Sequence, residues 1–172
     1  MATTYTLIDK AILTGSQATV SFTGLGSFSS TFTDLLIKVS ARSNSSTTGI
    51  NIGFNSNTSS YSEKRLYGTG SGSPASDSGG SSAYISNTMI NDNGYTANTF
   101  GNGEIYIPNF SSSTNKSISV DGVSENNATT ALMMFTAGLW SNTAAITSIQ
   151  LTSNVGNFVS GSSFYLYGIK NS

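Results

Sequence analysis

Short runs in which every second residue is apolar constrain the fold of this chain more than any other feature. The first three runs span residues 18–22, 35–41 and 50–54, with mostly polar or small residues at the alternate positions. A spacing of two is typical of β-strands that bury one face. Further candidate strands cover residues 61–67, 83–90, 103–107, 117–123, 130–140, 146–152 and 163–169. No segment longer than ten residues has the spacing of an amphipathic helix, so the sequence predicts an all-β protein.

The composition agrees with this fold class. Ser, Thr, Asn and Gly make up just over half of the chain and charged residues only 9%, which is unlike a helical bundle. Nine Phe and eight Tyr residues argue against disorder, because disordered chains contain few aromatic residues. Eight to ten strands in 172 residues predict a two-sheet antiparallel sandwich, and the eight-stranded jelly roll has the matching size. An immunoglobulin-type sandwich is usually shorter and fits less well.

The length predicts a single β-sandwich domain over residues 1–172. Residues 68–82, GTGSGSPASDSGGSS, are the one low-complexity segment, and we expect a mobile surface loop there. The strands before this segment could hardly close a core alone, so it is not expected to separate two domains.

The absence of several residue types excludes most catalytic chemistry. The chain has no His and no Cys, which removes imidazole catalysis, thiol nucleophiles, disulfides and ordinary zinc sites. We therefore expect no catalytic residue, no cofactor and no metal. The seven basic residues are scattered and the formal net charge is −1, so a nucleic-acid partner is not expected. The longest apolar run, residues 131–135, is too short to span a bilayer, and the first residues do not resemble a secretory signal, so we expect a soluble protein without a membrane partner.

Two polar patterns have both a functional interpretation and a simpler structural one. Glu104 and Asp121 could meet across strands as the carboxylate pair of a glycosidase, although solvated surface carboxylates are the favoured interpretation. Residues 91–94, NDNG, could hold Ca²⁺ weakly, but they lack the further acidic positions of a dedicated calcium loop. A simple turn is therefore favoured there.

Aromatic side chains are candidates for stacking against sugars, because a flat ring supports the apolar face of a sugar. The candidates are Tyr61, Tyr67, Tyr84, Tyr95 and Trp140. The favoured alternative is that they fill the core and interfaces, where aromatic residues are common.

Two late strands break the rule that an antiparallel sheet buries one face. In residues 131–140 and 163–169 both sets of alternate positions carry apolar or aromatic side chains. A loop of the same chain could cover one face, or a neighbouring chain could do so. The low charge favours the second interpretation, because free soluble surfaces are roughly 25–35% charged. We therefore predict a homo-oligomer, as a trimer, with an interface to a neighbouring chain formed by Leu132, Met134, Trp140, Tyr165, Tyr167 and Ile169.

Several phrases of the sequence follow one another in a suggestive order. Residues 5–10 lead into 17–23 (QATVSFT), and these are followed by 33–42 (TDLLIKVSAR), 100–108 (FGNGEIYIP), 139–151 (LWSNTAAITSIQL) and 156–172. Together these phrases resemble small structural proteins of tailed bacteriophages, especially marine and cyanobacterial ones. That family has no catalytic motif, so the resemblance implies no site residues.

The resemblance implies a jelly-roll module of the virion, either a capsid decoration (cement) protein or a part of a fibre. A single domain that begins with its own Met favours the decoration protein, made in the host cytoplasm and bound to the outer capsid surface. Its partners would be copies of itself, through the apolar strands, and the major capsid protein, through one end of the sandwich or residues 1–10. The alternative is a receptor- or carbohydrate-binding jelly-roll module of a tail or head fibre, and an enzyme is the third interpretation.

Overall fold

A computed structural model describes residues 4–46, 49–79, 83–87, 90–125 and 131–170. These residues form twelve β-strands and one short 3₁₀ helix, Leu25–Phe28. No helix in these ranges is long and apolar enough to cross a membrane. The strands are β1 (Tyr5–Ile12), β2 (Thr19–Phe22), β3 (Asp34–Ala41), β4 (Ile50–Phe54), β5 (Tyr61–Gly68), β6 (Ala75–Gly79), β7 (Ile85–Asn87), β8 (Gly101–Ile107), β9 (Lys116–Ser124), β10 (Leu132–Trp140), β11 (Ile149–Ser153) and β12 (Ser163–Ile169).

The strands form two antiparallel sheets that pack as a sandwich. The large sheet has the order β1-β12-β3-β8-β9-β10-β5-β6, and the small sheet has the order β2-β11-β4-β7. Eight of these strands, β1-β12-β3-β8 opposite β2-β11-β4-β7, follow the jelly-roll pattern, in which the chain alternates between the sheets. Strands β9, β10, β5 and β6 extend the large sheet beyond this unit. The predicted all-β class and two-sheet antiparallel sandwich are therefore confirmed.

The core lies between the inner faces of the two sheets. Alternate residues of β3 and β12 point inward from the large sheet, and alternate residues of β4 and β11 point inward from the small sheet. Burial of such side chains stabilises the fold by roughly 1.5–3 kcal/mol each. The apolar residues of these four strands that are 0% exposed are Leu35, Ile37, Ala41, Ile50, Ile52, Phe54, Ile149, Leu151, Phe164 and Leu166.

Strand β6 differs from the loop expected over residues 68–82. Residues 75–79 pair with β5, and Arg65 donates two hydrogen bonds to the Asp77 carboxylate at 2.6 and 3.0 Å. Ladder hydrogen bonds do not depend on side-chain type, so a Ser- and Gly-rich segment can form an exposed edge strand. Residues 80–82 lie outside the described residues.

Strand β1 forms the opposite edge of the large sheet and was not among the predicted strands. A register shift between Leu7 and Asp9 interrupts its alternation, and six of its eight residues are exposed. An irregular, exposed strand of this kind does not give a period-two signal.

Candidate functional site

Strand β10 has one side in the core and one side on the surface. The inward side carries Trp140, which is 1% exposed and stacks on Tyr61 with ring centroids 6.0 Å apart and an interplanar angle of 16°. The outward side carries Met133 and Phe135, which are 66% and 52% exposed. Both sides are apolar, as the sequence indicates, but only the second is available to a partner.

Exposed apolar side chains of neighbouring strands extend this outward side into a surface patch. Across the strand pairs, Leu66 of β5 lies opposite Phe135, and Val123 of β9 lies opposite Met133. Leu66 is 57% exposed and Val123 is 41% exposed. We call Leu66, Val123, Met133 and Phe135 the apolar patch. A groove of about 360 Å³ runs between these side chains, with Pro74 on its wall.

Apolar surface of this kind is uncommon on an isolated soluble protein when it is contiguous. Single exposed apolar residues are normal, whereas a contiguous patch marks a site that binds another surface. The chain offers few charges to compensate, with 9% charged residues overall. The apolar patch is therefore the candidate functional site of the large sheet.

A polar centre separates the apolar patch from the edge strand β1 on the same outer face. Lys38 of β3 forms an ion pair with Glu104 of β8, and Glu104 lies directly opposite Asp121 of β9. Nearby, the Tyr106 hydroxyl donates a 2.6 Å hydrogen bond to the Asp34 carboxylate. This hydrogen bond is the main cause that raises the pKa of Tyr106 to about 12, with burial and the negative charge of Asp34 adding to it.

The structure brings Glu104 and Asp121 together, as the carboxylate-pair interpretation required. They lie on the exposed outer face of an open sheet, and Lys38 already pairs with Glu104. These residues do not enclose a sugar between them, which a glycosidase pair must do. Their arrangement matches the polar centre of a surface better than a catalytic cleft.

The six residues predicted at an interface fall into two groups. Trp140 and Met134 are 1% and 8% exposed and lie on the inward side of β10, and Leu132 is half-buried on the same side. Tyr165 and Tyr167 are half-buried on the outward side of β12, where Ile169 is 6% exposed. The sequence interpretation therefore selected the covered side of β10, whereas its exposed side holds the apolar patch.

Two contacts with the small sheet explain why that side of β10 points inward. Gly138 leaves space for Ile85 of β7, since a Cβ atom at Gly138 would lie 2.7 Å from Ile85 Cδ1. The Asn87 amide donates a 3.0 Å hydrogen bond to the Thr136 hydroxyl. Both partners come from a strand that lies far away in sequence, so the sequence of β10 gives no direct signal of them.

The segment at residues 91–94 forms a turn that side chains hold in place. Asp92 Oδ1 accepts a 2.8 Å hydrogen bond from the Gly94 backbone, and Asn93 donates to the Asn44 carbonyl. The turn does not close a hairpin, because β7 and β8 belong to different sheets. Within the described residues, no group of three or more acidic side chains comes together that could hold a metal ion.

The five aromatic candidates for sugar stacking separate in the structure. Tyr61 and Trp140 stack on each other inside the core, where burial raises the pKa of Tyr61. Tyr67 lines the groove of the apolar patch, and Tyr95 is half-buried beside the guanidinium of Arg42, which binds its carbonyl oxygen at 2.9 Å. Only Tyr84 among the five lies beside an outer face of the small sheet.

Comparisons of the chain with family models, with curated proteins and with solved structures find no significant match.

Proposed function

We propose that this protein is a structural protein of a tailed-phage virion, a decoration (cement) protein that binds the outer surface of the major capsid shell and stabilises it. The resemblance of its sequence phrases to phage structural proteins supports the assignment to a virion. The observation that carries the role in assembly is the apolar patch, in which four large side chains on three adjacent strands are 41–66% exposed.

A second copy of this chain is the proposed occupant of the apolar patch. Burial of side chains of this size stabilises an association by roughly 1–3 kcal/mol each, so a contact across several of them can hold an oligomer together. Within that contact, main-chain and amide groups can satisfy the remaining polar contacts without strong charges. We propose a homotrimer in which this contact is repeated around the symmetry axis.

The edge strand β1 is the proposed contact with the major capsid protein. Tyr5, Leu7 and Ile12 are 55%, 47% and 52% exposed along a strand that is paired on one side only. An edge strand offers unpaired main-chain groups as well as side chains to a neighbouring protein. Each contact is modest, but several copies bridging neighbouring capsid subunits act together and strengthen the shell.

Electron cryo-microscopy of intact virions tests this proposal. We expect density for a jelly-roll oligomer on the outer shell, and light scattering of the purified protein should give three times the subunit mass of 17.8 kDa. Density at a tail or head fibre would instead support the alternative receptor- or carbohydrate-binding module. Virions without such density, or a purified protein of one subunit mass, would contradict the decoration role.

A further inference from the structure

The outer face of the small sheet carries short, uncharged polar side chains. Alternation in β4 and β11 points Asn51 and Gly53, and Gln150 and Thr152, away from the core. Their sequence neighbours, such as Ile52 and the other inward residues of these strands, are buried. This face is therefore polar without any charge at these four positions.

A groove of about 260 Å³ lies on this face. In the register of the sheet, Gly53 is opposite Gln150 and Asn51 is opposite Thr152, and the ring of Tyr84 stands beside them. Gly53 forms an open floor, because a Cβ atom built there would meet no atom within 4 Å. The residues lining the groove include no charged side chain.

Several polar groups of the groove have unused hydrogen-bonding capacity. Asn51 Oδ1 is buried without a hydrogen-bond partner. Among the described residues, the side-chain amide of Gln150 and the hydroxyl of Tyr84 also have no hydrogen-bond partner. A buried acceptor without a donor costs free energy, and a ligand hydroxyl that donates a hydrogen bond to Asn51 Oδ1 would remove that cost.

The chemistry of this groove selects a class of ligand. Amide and hydroxyl groups exchange hydrogen bonds with sugar hydroxyls, and the face of a tyrosine ring packs against the apolar side of a sugar ring. Phosphate, sulfate or carboxylate groups would require Lys or Arg partners, which the groove lacks. We propose that the groove binds one neutral monosaccharide unit of a surface glycan, with Tyr84 as the stacking wall and Asn51 and Gln150 as hydrogen-bonding groups.

This site is independent of the proposed contacts of the virion protein. The groove lies on the small sheet, whereas the apolar patch and β1 belong to the large sheet. A decoration protein that also binds a neutral glycan could hold a particle near a cell surface while its other surfaces bind the shell. If the protein forms the proposed oligomer but binds no neutral sugar, this inference is refuted and the proposed decoration role is not.

Saturation-transfer NMR on the full-length protein tests the inference with glucose, galactose, mannose and N-acetylglucosamine as neutral probes. Sialic acid and glucose 6-phosphate serve as charged probes. We expect transfer to at least one neutral sugar and none to the charged probes. Absence of transfer to all four neutral sugars, or equal transfer to the charged probes, would overturn the proposal.

The variant Gly53→Val fills the floor of the groove, and valine suits a strand. We expect it to weaken the binding of the responding sugar about tenfold or more, which corresponds to roughly 1.4 kcal/mol. Ser21→Val is the matched control, because Ser21 lies opposite Gln150 on the same outer face but does not line the groove. Unchanged binding by Gly53→Val, or equal losses in both variants, would show that the sugar binds elsewhere, whereas a retained melting temperature in both shows that the fold is intact.

Discussion

The two outer faces of this sandwich differ in chemistry although the two inner faces are alike. The outer face of the large sheet exposes Phe135 and its apolar neighbours, whereas that of the small sheet exposes Asn51, Gln150 and Thr152. Charge is scarce in this chain, and neither the four residues of the apolar patch nor the residues that line the small-sheet groove are charged. On such a protein, the balance between apolar groups and amides or hydroxyls decides what each face can bind. The large-sheet face is therefore the proposed contact with another protein surface, and the small-sheet face is the proposed site of a neutral polar ligand.

The difference between the two outer faces depends on which side of β10 is buried. The variant Trp140→Ala tests this assignment and has the largest expected effect on stability. Trp140 contacts Phe54 of the small sheet, with ring centroids 5.6 Å apart. Truncation of a buried aromatic side chain costs about 3–5 kcal/mol of unfolding free energy. Denaturant unfolding followed by far-UV circular dichroism measures this loss.

Leu139→Ala is the control for that measurement, because Leu139 is the next residue of β10 and points to the other side. We expect it to lower the unfolding free energy by less than about 1 kcal/mol, as partly exposed positions usually do. Equal losses in the two variants would mean that the sides of β10 are assigned incorrectly.

Replacing side chains of the apolar patch tests whether the outer face of the large sheet is the contact between copies. The double variant Met133→Ser, Phe135→Ser places polar groups at the two most prominent positions of the outward side of β10. We expect the oligomer to dissociate at least about tenfold more readily, because two apolar contacts are lost from the interface. Light scattering over a dilution series measures the change in mass.

The matched change on the small sheet is Gln150→Ser, which also shortens an outward-facing side chain. It should leave the oligomer mass unchanged, because that face is not the proposed contact between copies. If Gln150→Ser dissociates the oligomer and the double variant does not, the roles of the two faces are reversed.

The sequence predicted most of the fold because the inward-facing residues carry its signal. Strands such as β4 and β11 alternate between buried and more exposed residues, as their spacing indicates. Strand β6 was missed because it has no buried residue and is held by ladder hydrogen bonds and the Arg65–Asp77 pair. Main-chain pairing of exposed Ser and Gly residues leaves no trace in a hydrophobic pattern.

The candidate site was predicted only in part, for a different physical reason. The sequence indicated that β10 is apolar on both sides, but a shift by one residue exchanges the sides of a strand. The covered side is decided by Ile85 and Asn87, which reach Gly138 and Thr136 from the other sheet. Such long-range packing cannot be inferred from the alternation in β10 alone. The groove beside Tyr84 likewise depends on the register of β4 with β11.

The smallest expected effect on the unfolding free energy concerns Tyr106, which lies in the polar centre of the large-sheet face. Hydrogen bonding to the Asp34 carboxylate, followed by burial, raises the pKa of Tyr106 from 10.0 to about 12. Because the folded pKa is the higher one, the protonated phenol stabilises the fold fully below pH 10, and this contribution is lost as the pH rises from 10 to about 12. For a hydrogen bond at a partly exposed position, we expect a contribution of about 1 kcal/mol.

Tyr106→Phe removes this contribution, so its difference in unfolding free energy from the wild type should be constant below pH 10 and shrink between pH 10 and about 12. Tyr165→Phe, on the same outer face, retains the Asp34–Tyr106 hydrogen bond and should follow the wild type through that range. Denaturant unfolding at several alkaline pH values measures both differences. A parallel decline of wild type and Tyr106→Phe would show that Tyr106 is not hydrogen-bonded to a carboxylate. The polar centre between the apolar patch and β1 would then include Lys38 and Glu104 but not the Asp34–Tyr106 pair.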